Sequence, residues 1–319
     1  MAASPSAKDE NLSNKELKYG LALAFTAAFL FSTKPIIIKW LYSLGMSAIP
    51  LMGLRMLIAL PIYLVIGAYL WRKMETKPAG RTLPRAAAVG LLGYYMASLL
   101  DLSGLEYVSA QLERLMLYAY PSMVVILGAI FFGAKVGRSV IPALVLTYAG
   151  LGVMYGHDLE IAPPGTSDAD ITKGTLLILG SALSFSLFIL FSKRGIAELG
   201  SLFFTCISMG SATLATLIHY GISEGATLPV MDVTRWVGTL VLAILVTVVP
   251  SFMVSGAIKR IGPARASVSG TIGPVLTTIM AIIFLGEPFG WAAVLDVTGH
   301  ARCVPPEIDF PGSPYLFRT

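Results

Sequence analysis

Lys34, Arg55, Asp101, Glu113 and Arg114 stand inside long apolar runs of this sequence. A charged side chain held in hydrocarbon costs roughly 2.5–3.5 kcal/mol even on a lenient insertion scale, so such residues are kept where they bind, pair or reach water. Arg114 belongs to a stripe. Gln111, Arg114, Tyr118, Pro121 and Ser122 recur at helical spacing and form one polar face on an otherwise apolar segment. Pro121 also removes a backbone donor, which leaves a carbonyl available in mid-segment. Tyr94, Ser98 and Asp101, spaced by four and three, form a second stripe, and Ser267, Thr271, Pro274 and Thr278 form an uncharged third. Fixed cations beside hydroxyls and phenols suit the capture of a small anion or zwitterion. The candidate solute-binding residues are therefore Lys34, Tyr94, Ser98, Arg114, Tyr118, Ser267 and Thr271, with Pro121 and Pro274 as candidate helix breaks.

Each has a plainer reading. Lys34 lies five or six residues from Trp40 and Tyr42, close enough to a segment end for its stem to snorkel outward. Arg55, seven residues into its run, suits helix packing or snorkelling as well as ligand contact, and the stripe through Arg114 could be an inter-helix polar seam. Asp101 is placed to pair with Arg114 or Lys34, and Glu113 reads as an interfacial partner. Three cations against two acids leave one positive charge in excess, which favours an anionic or zwitterionic solute. Tyr94, Tyr95 and Tyr118 would add stacking and hydrogen-bonding surface.

Other chemistry finds no support. There is no His-Glu-x-x-His, no phosphate-cradling glycine loop and no Gly-x-Ser-x-Gly, so neither an enzyme nor an ATP-driven pump is indicated. An intramembrane enzyme would need a buried Asp and His facing one cavity, and no such pair is apparent. His157, His219 and His300 lack neighbouring ligands, Cys206 and Cys303 fit neither a disulfide framework nor a metal site, and no cofactor is implied.

The elements that must position these residues are membrane helices. Of 319 residues, 55% are hydrophobic and 13% charged, against about 25% charged in an ordinary soluble domain. The apolar residues fall into runs of about 20, the length a helix needs to cross a bilayer. Nine such spans are expected, at Tyr19–Leu41, Ala48–Trp71, Ala86–Leu105, Ala110–Ala134, Val140–Tyr155, Gly174–Ser192, Gly200–Leu217, Val237–Ile258 and Ala266–Leu285. Small residues four apart, Ala266 with Gly270 and Gly152 with Gly156, would let helices approach closely. The net charge of +5 is scattered over connectors and forms no basic face for nucleic acid. Residues 1–16 are polar and show no signal peptide.

The positive charges follow a rule. Lys8, Lys15 and Lys18 precede the first span, and every even-numbered span exits into Lys and Arg: Arg72 and Lys73, Lys135 and Arg138, Lys193 and Arg194, Lys259 and Arg260. The odd connectors are mostly neutral or acidic, with Asp158, Glu160, Asp168 and Asp170 after the fifth span and Lys173 and Arg235 as exceptions. An amino terminus in the cytoplasm accounts for this asymmetry. The chain also repeats. Pro121, Ile130, Phe131 and Gly133 match Pro274, Ile283, Phe284 and Gly286 at a separation of 153, and Gly20, Phe31, Ser32 and Lys39 match Gly174, Phe185, Ser186 and Lys193 at 154. Five spans per repeat make the second half enter from the opposite side, an inverted-topology ground plan of secondary transporters.

The segment Phe29 to Lys39, the pair Leu54-Arg55, the stretch Gly90 to Asp101 and the blocks Pro121 to Gly133 and Pro274 to Glu287 resemble the drug/metabolite transporter superfamily, in particular its EamA-type members. The resemblance covers about residues 17–295. It implies an all-α membrane protein of ten helices in two inverted five-helix repeats, and export or exchange of amino acids or other metabolites. On that basis residues 1–16 are a cytoplasmic tail, 17–156 the first repeat, 157–173 an external loop, 174–298 a second, incomplete repeat and 299–319 a non-spanning tail. The chain departs from the pattern twice. The family's Gly-Glu ending appears as Gly286-Glu287 but as Gly133-Ala134 in the first half, and the expected tenth helix is replaced by a segment with Asp296, His300, Arg302, Pro305 and Pro306. A helix cannot cross lipid there. The expected function is a secondary carrier of an amino acid-like compound or organic anion in a bacterial inner membrane. A degenerate, non-transporting protein is the alternative, and a homodimer covering the gap is a further expectation.

Overall fold

The computed structural model describes residues 7–78, 80–132, 140–160, 166–225, 229–254, 256–257, 260–261 and 273–287. Among them all regular structure is helical. The first apolar run forms α1 (Ala7–Ser32) and α2 (Lys34–Ser43), the second α3 (Ala48–Lys73), and the third α4 (Thr82–Gly90), a π-helical segment π1 (Leu91–Met96) and α5 (Ala97–Leu105). The fourth forms α6 (Ala110–Leu117) and α7 (Tyr120–Phe132), and the fifth α8 (Val140–Glu160). Then follow α9 (Asp168–Leu199), α10 (Ser201–Ser223), α11 (Val233–Ala243) with π2 (Ile244–Val248), and α12 (Gly273–Met280) with π3 (Ala281–Leu285).

Seven of the described segments are long and apolar enough to cross a membrane: 15–43, 48–73, 82–105, 110–131, 168–192, 201–223 and 233–254. Of the other two expected spans, the fifth is helical over Val140–Glu160 and the ninth is described only from Gly273 onward. The expected tenth-helix region, Ser267, Thr271 and the pair Ala266 and Gly270 lie outside the described residues.

The helices break where the sequence removes backbone donors. Pro35 cannot donate to the carbonyl of Phe31, and the first run turns at Thr33, whose hydroxyl donates to the Leu30 carbonyl at 2.7 Å. The fourth run turns at Tyr118 and Ala119 and restarts with Pro121 in the first turn of α7, where a missing N–H is harmless. The carbonyls around this break find side-chain donors: Ala119 accepts from Ser122 Oγ at 2.7 Å and Tyr120 from Ser186 Oγ at 3.0 Å.

Packing depends on close backbone approach between α5 and α9. A Cβ on Gly104 would lie 2.8 Å from the Gly174 carbonyl, and one on Gly174 would lie 2.9 Å from the Gly104 carbonyl, so α5 and α9 touch through both glycines. Among the described residues a Cβ on Gly152 or Gly156 meets nothing within 4 Å, so no described helix makes the expected close approach there. Leu112, Leu115 and Ala119 anchor one apolar cluster with Met154 and Ile178, while Ile38, Leu51 and Leu102 anchor another with Leu242. Together these clusters fix α2, α3, α5 and α6 around a polar junction.

Candidate functional site

Lys34 is the first residue after the break in the first run, so its side chain leaves the helix where the backbone turns. Its Nζ donates to Asp101 Oδ2 on α5, which settles Lys34 as the partner of Asp101. The pair is enclosed, with the Asp101 side chain 2% and the Lys34 side chain 15% exposed. Arg55 on α3 is 3% exposed and senses Asp101, Tyr63 and Tyr42 as its charged and polar neighbours. Its Nε and Nη2 have no hydrogen-bond partner among the described residues. It is therefore neither snorkelling nor exposed to lipid.

Glu113 corrects the sequence reading. It is fully enclosed on α6 and not at an interface with headgroups. Asp101, Lys34 and Arg114 are its charged neighbours, and its carboxyl lies within hydrogen-bonding reach of the Asp101 carboxyl, while no N–H or hydroxyl among the described residues donates to either of its oxygens. Next to it, Arg114 lies over the Tyr118 ring at 5.1 Å and hydrogen-bonds the phenol. Both side chains press on Gly273: a Cβ there would come within 2.5 Å of the Tyr118 hydroxyl and 2.8 Å of Arg114 Nη2. Arg114 and Tyr118 thus lie buried against the start of α12. Ser32 Oγ donates to the Gly273 carbonyl at 3.2 Å and Thr277 donates to the Ser32 carbonyl at 3.1 Å, tying α1 to the same strip of α12.

The start of α6 is held by two distant carboxylates, one in the last turn of α8 and one just after π3. Ser109 is the N-cap, its Oγ accepting from Leu112 N at 3.0 Å. Asp158 accepts from Ser109 N and Oγ at 2.8 and 2.7 Å. Glu287 accepts from Ala110 N at 2.8 Å and Gln111 N at 3.3 Å. Negative charge at a helix start satisfies orphan donors and suits the helix dipole. Lys39 stands between these acids and the buried centre, sensing Glu287, Asp158 and Glu113.

The other predicted residues lie apart. Tyr94, on π1, packs edge to face on Phe188 at 4.9 Å. From there a run of rings, Phe185, Tyr120 and then Tyr118, leads back to Arg114. Ser98 is half-buried on α5. Pro274 is the second residue of α12. His219 takes part in a hydrogen bond of 3.1 Å with the Tyr95 hydroxyl. Sequence reasoning missed Gly273 and Glu287, whose roles arise from contacts across more than 150 residues. The Gly286-Glu287 pair was the one visible signal.

Long apolar helices enclosing a polar, charged junction define an integral membrane protein of the polytopic helical class. The chain belongs to the EamA-like transporter family, which matches it over residues 18–156 and again over 172–298. It is 27% identical over 300 residues to the uncharacterized transporter YcbK of Bacillus subtilis (strain 168), covering 91% of this chain and 93% of that protein. An uncharacterized transporter of Clostridium kluyveri is 23% identical over 282 residues, covering 88% and 90%. A solved crystal structure superposes with a TM-score of 0.61 at 19% identity, over 89% of this chain and 95% of that one, which shows a shared fold. These relatives place the chain among membrane transporters.

Proposed function

We propose that the chain is a secondary carrier that exports or exchanges a small polar metabolite, an amino acid-like compound or organic anion, by alternating access between two inverted five-helix halves. The observation that carries this reading is the enclosed junction in which Lys34, Arg55 and Arg114 outnumber Asp101 and Glu113 by one positive charge. An anion entering it would neutralise that excess. Arg114 and Tyr118 supply the contact surface, with Lys34 released from Asp101 as the solute arrives. Tyr94 and Ser98, and Ser267 and Thr271 from the second half, complete the path.

The repeat draws support from three features. The family matches the chain twice. The segments π1 and π2 begin at Leu91 and Ile244, 153 positions apart. The bond from Ser32 to the Gly273 carbonyl has a counterpart in the bond from Ser186 to the Tyr120 carbonyl, at the same separations the sequence repeat uses. With the fifth and ninth spans added, nine helices cross a bacterial inner membrane and the amino terminus is cytoplasmic. The Ser109 end of α6 then faces outward, and the caps from Asp158 and Glu287 hold the outer side shut.

Uptake and exchange of radiolabelled amino acids and organic anions in proteoliposomes tests the reading. Transport by the wild type and none by Arg114→Ala is expected; equal transport by both would overturn the site. Single cysteines at Lys77 and Asp168 should label from opposite sides of sealed vesicles. Labelling from the same side would remove the inverted topology.

A further inference from the structure

We propose that Asp101 and Glu113 together form a proton-binding site that holds one exchangeable proton inside the membrane. Two carboxyl groups from adjacent helices, α5 and α6, are enclosed side by side, with Asp101 2% exposed and Glu113 fully buried. Of the cations around them, Lys34 Nζ is on Asp101 Oδ2, Arg114 is turned over the Tyr118 ring against Gly273, and Arg55 lies on the Asp101 side. Among the described residues no N–H or hydroxyl donates to either Glu113 oxygen or to Asp101 Oδ1. A buried carboxylate without hydrogen bonds is strongly disfavoured, and two carboxylates sharing one low-dielectric site resist ionising together. One proton on the Glu113 side resolves both problems, since a protonated carboxyl is neutral and can donate to its neighbour.

α2 presents Lys34, Lys39 and Tyr42, α3 presents Arg55, α8 presents Asp158, and Glu287 follows π3. α9 carries Asp168, Asp170 and Lys173 in its first turns, with Asp170 engaged by Ser167 and Lys173 by Tyr107. Asp158 and Glu287 accept backbone N–H groups at the start of α6. A metal cation does not suit the pair, because Lys34, Arg55 and Arg114 give the junction an excess of positive charge. If the carrier reading above holds, this proton is the coupling ion. A solute anion and a proton in one cluster attract each other, so they bind cooperatively.

The site itself is tested without a solute, so its failure is separate from failure of the carrier reading. Infrared titration of the purified full chain in lipid should show the carbonyl band of a protonated, buried carboxylic acid at neutral pH. The band should shift in deuterium oxide and disappear at alkaline pH. Glu113→Gln should abolish it, and Glu113→Asp, which keeps a carboxyl and guards against misfolding of the amide variant, should retain it at a changed frequency. Asp101→Asn should move the pH at which it disappears. No such band in the wild type, or the same band in Glu113→Gln, would overturn the proposal.

Discussion

Two serines hold the halves of this protein together in the same way, yet their surroundings differ. Ser32 on α1 donates back to the Ala28 carbonyl and across to Gly273, while Ser186 on α9 donates back to Ala182 and across to Tyr120. Around the first bond lie Arg114, Tyr118 and the Lys34–Asp101 pair. Around the second lie Phe185 and Phe188, stacked on one another, with Phe185 edge to face on Tyr120. At the repeat separations Lys34 corresponds to Phe188, Asp101 to Val254 and Arg114 to Ser267. Backbone-directed contacts are thus shared by both halves, while the charge is confined to one. A fold can keep its symmetry through small residues and helix carbonyls while a single side is free to specialise.

The strongest way to probe that difference is to unbalance the charged half. Replacing Asp101 by Asn strands Lys34 and Arg55, and breaking a buried pair by removing one partner costs about 3–5 kcal/mol. Thermal unfolding in detergent should show this as the largest destabilisation of any polar substitution in the chain. Lys34→Met combined with Asp101→Leu, which removes both charges, should be milder than Asp101→Asn alone. A double variant as unstable as the single one would mean that the pair holds the junction by more than charge.

Next comes Arg114→Ala. Losing one charged partner of a bound anion costs about 2 kcal/mol or more, so transport should fall at least about thirtyfold, with helix content by circular dichroism unchanged. Gly273→Ala reaches the same place from the ninth helix, because its Cβ would collide with both Tyr118 and Arg114. It should reduce transport and cost about 1–3 kcal/mol of stability through overpacking. Normal transport by Gly273→Ala would detach the ninth helix from the site.

How far the sequence led can be judged at these residues. The apolar runs predicted the helices because length and hydropathy are local properties, and Pro121 marked one break to within a few residues, whereas the break before Pro35 was read as continuous helix. Lys34 with Asp101 was one of two pairings open to the sequence. Glu113 was misplaced because a charge four residues into a run reads as a headgroup neighbour when the enclosing helices are unseen. Tyr94 shares a helical stripe with Asp101 but sits on π1, where the wider turn shifts the facing, and it packs on Phe188. Glu287 acts on α6 across a separation of 177 residues, and nothing local announces that.

A smaller effect tests the end of the bundle where the two halves also differ. Glu287 caps α6, whereas the first half has Ala134 in the corresponding position. Glu287→Gln keeps an acceptor and loses the charge, so about 0.5–2 kcal/mol of stability should be lost, in the range of a helix cap. If the cap holds one side shut, cysteines placed near Ser109 should label faster in this variant. Unchanged labelling would make the cap structural only.

The smallest expected effect is the most discriminating for the comparison. Ser32→Ala and Ser186→Ala each remove one inter-helix bond, from serine to the Gly273 and Tyr120 carbonyls respectively. Polar contacts between membrane helices contribute about 0.6 kcal/mol on average, so both variants should lower thermal stability slightly and by similar amounts. Their effects on transport should diverge. Ser32 fixes the strip of α12 on which Arg114 and Tyr118 rest, so its loss lets that strip move relative to the guanidinium. Ser186 fixes a helix break surrounded by rings that already hold it by packing. Transport should therefore fall in Ser32→Ala and stay near wild type in Ser186→Ala, with apparent affinity for the solute affected before the maximal rate. Equal losses of transport would show that both halves shape the solute path, and that the charge asymmetry serves protonation or stability and not recognition.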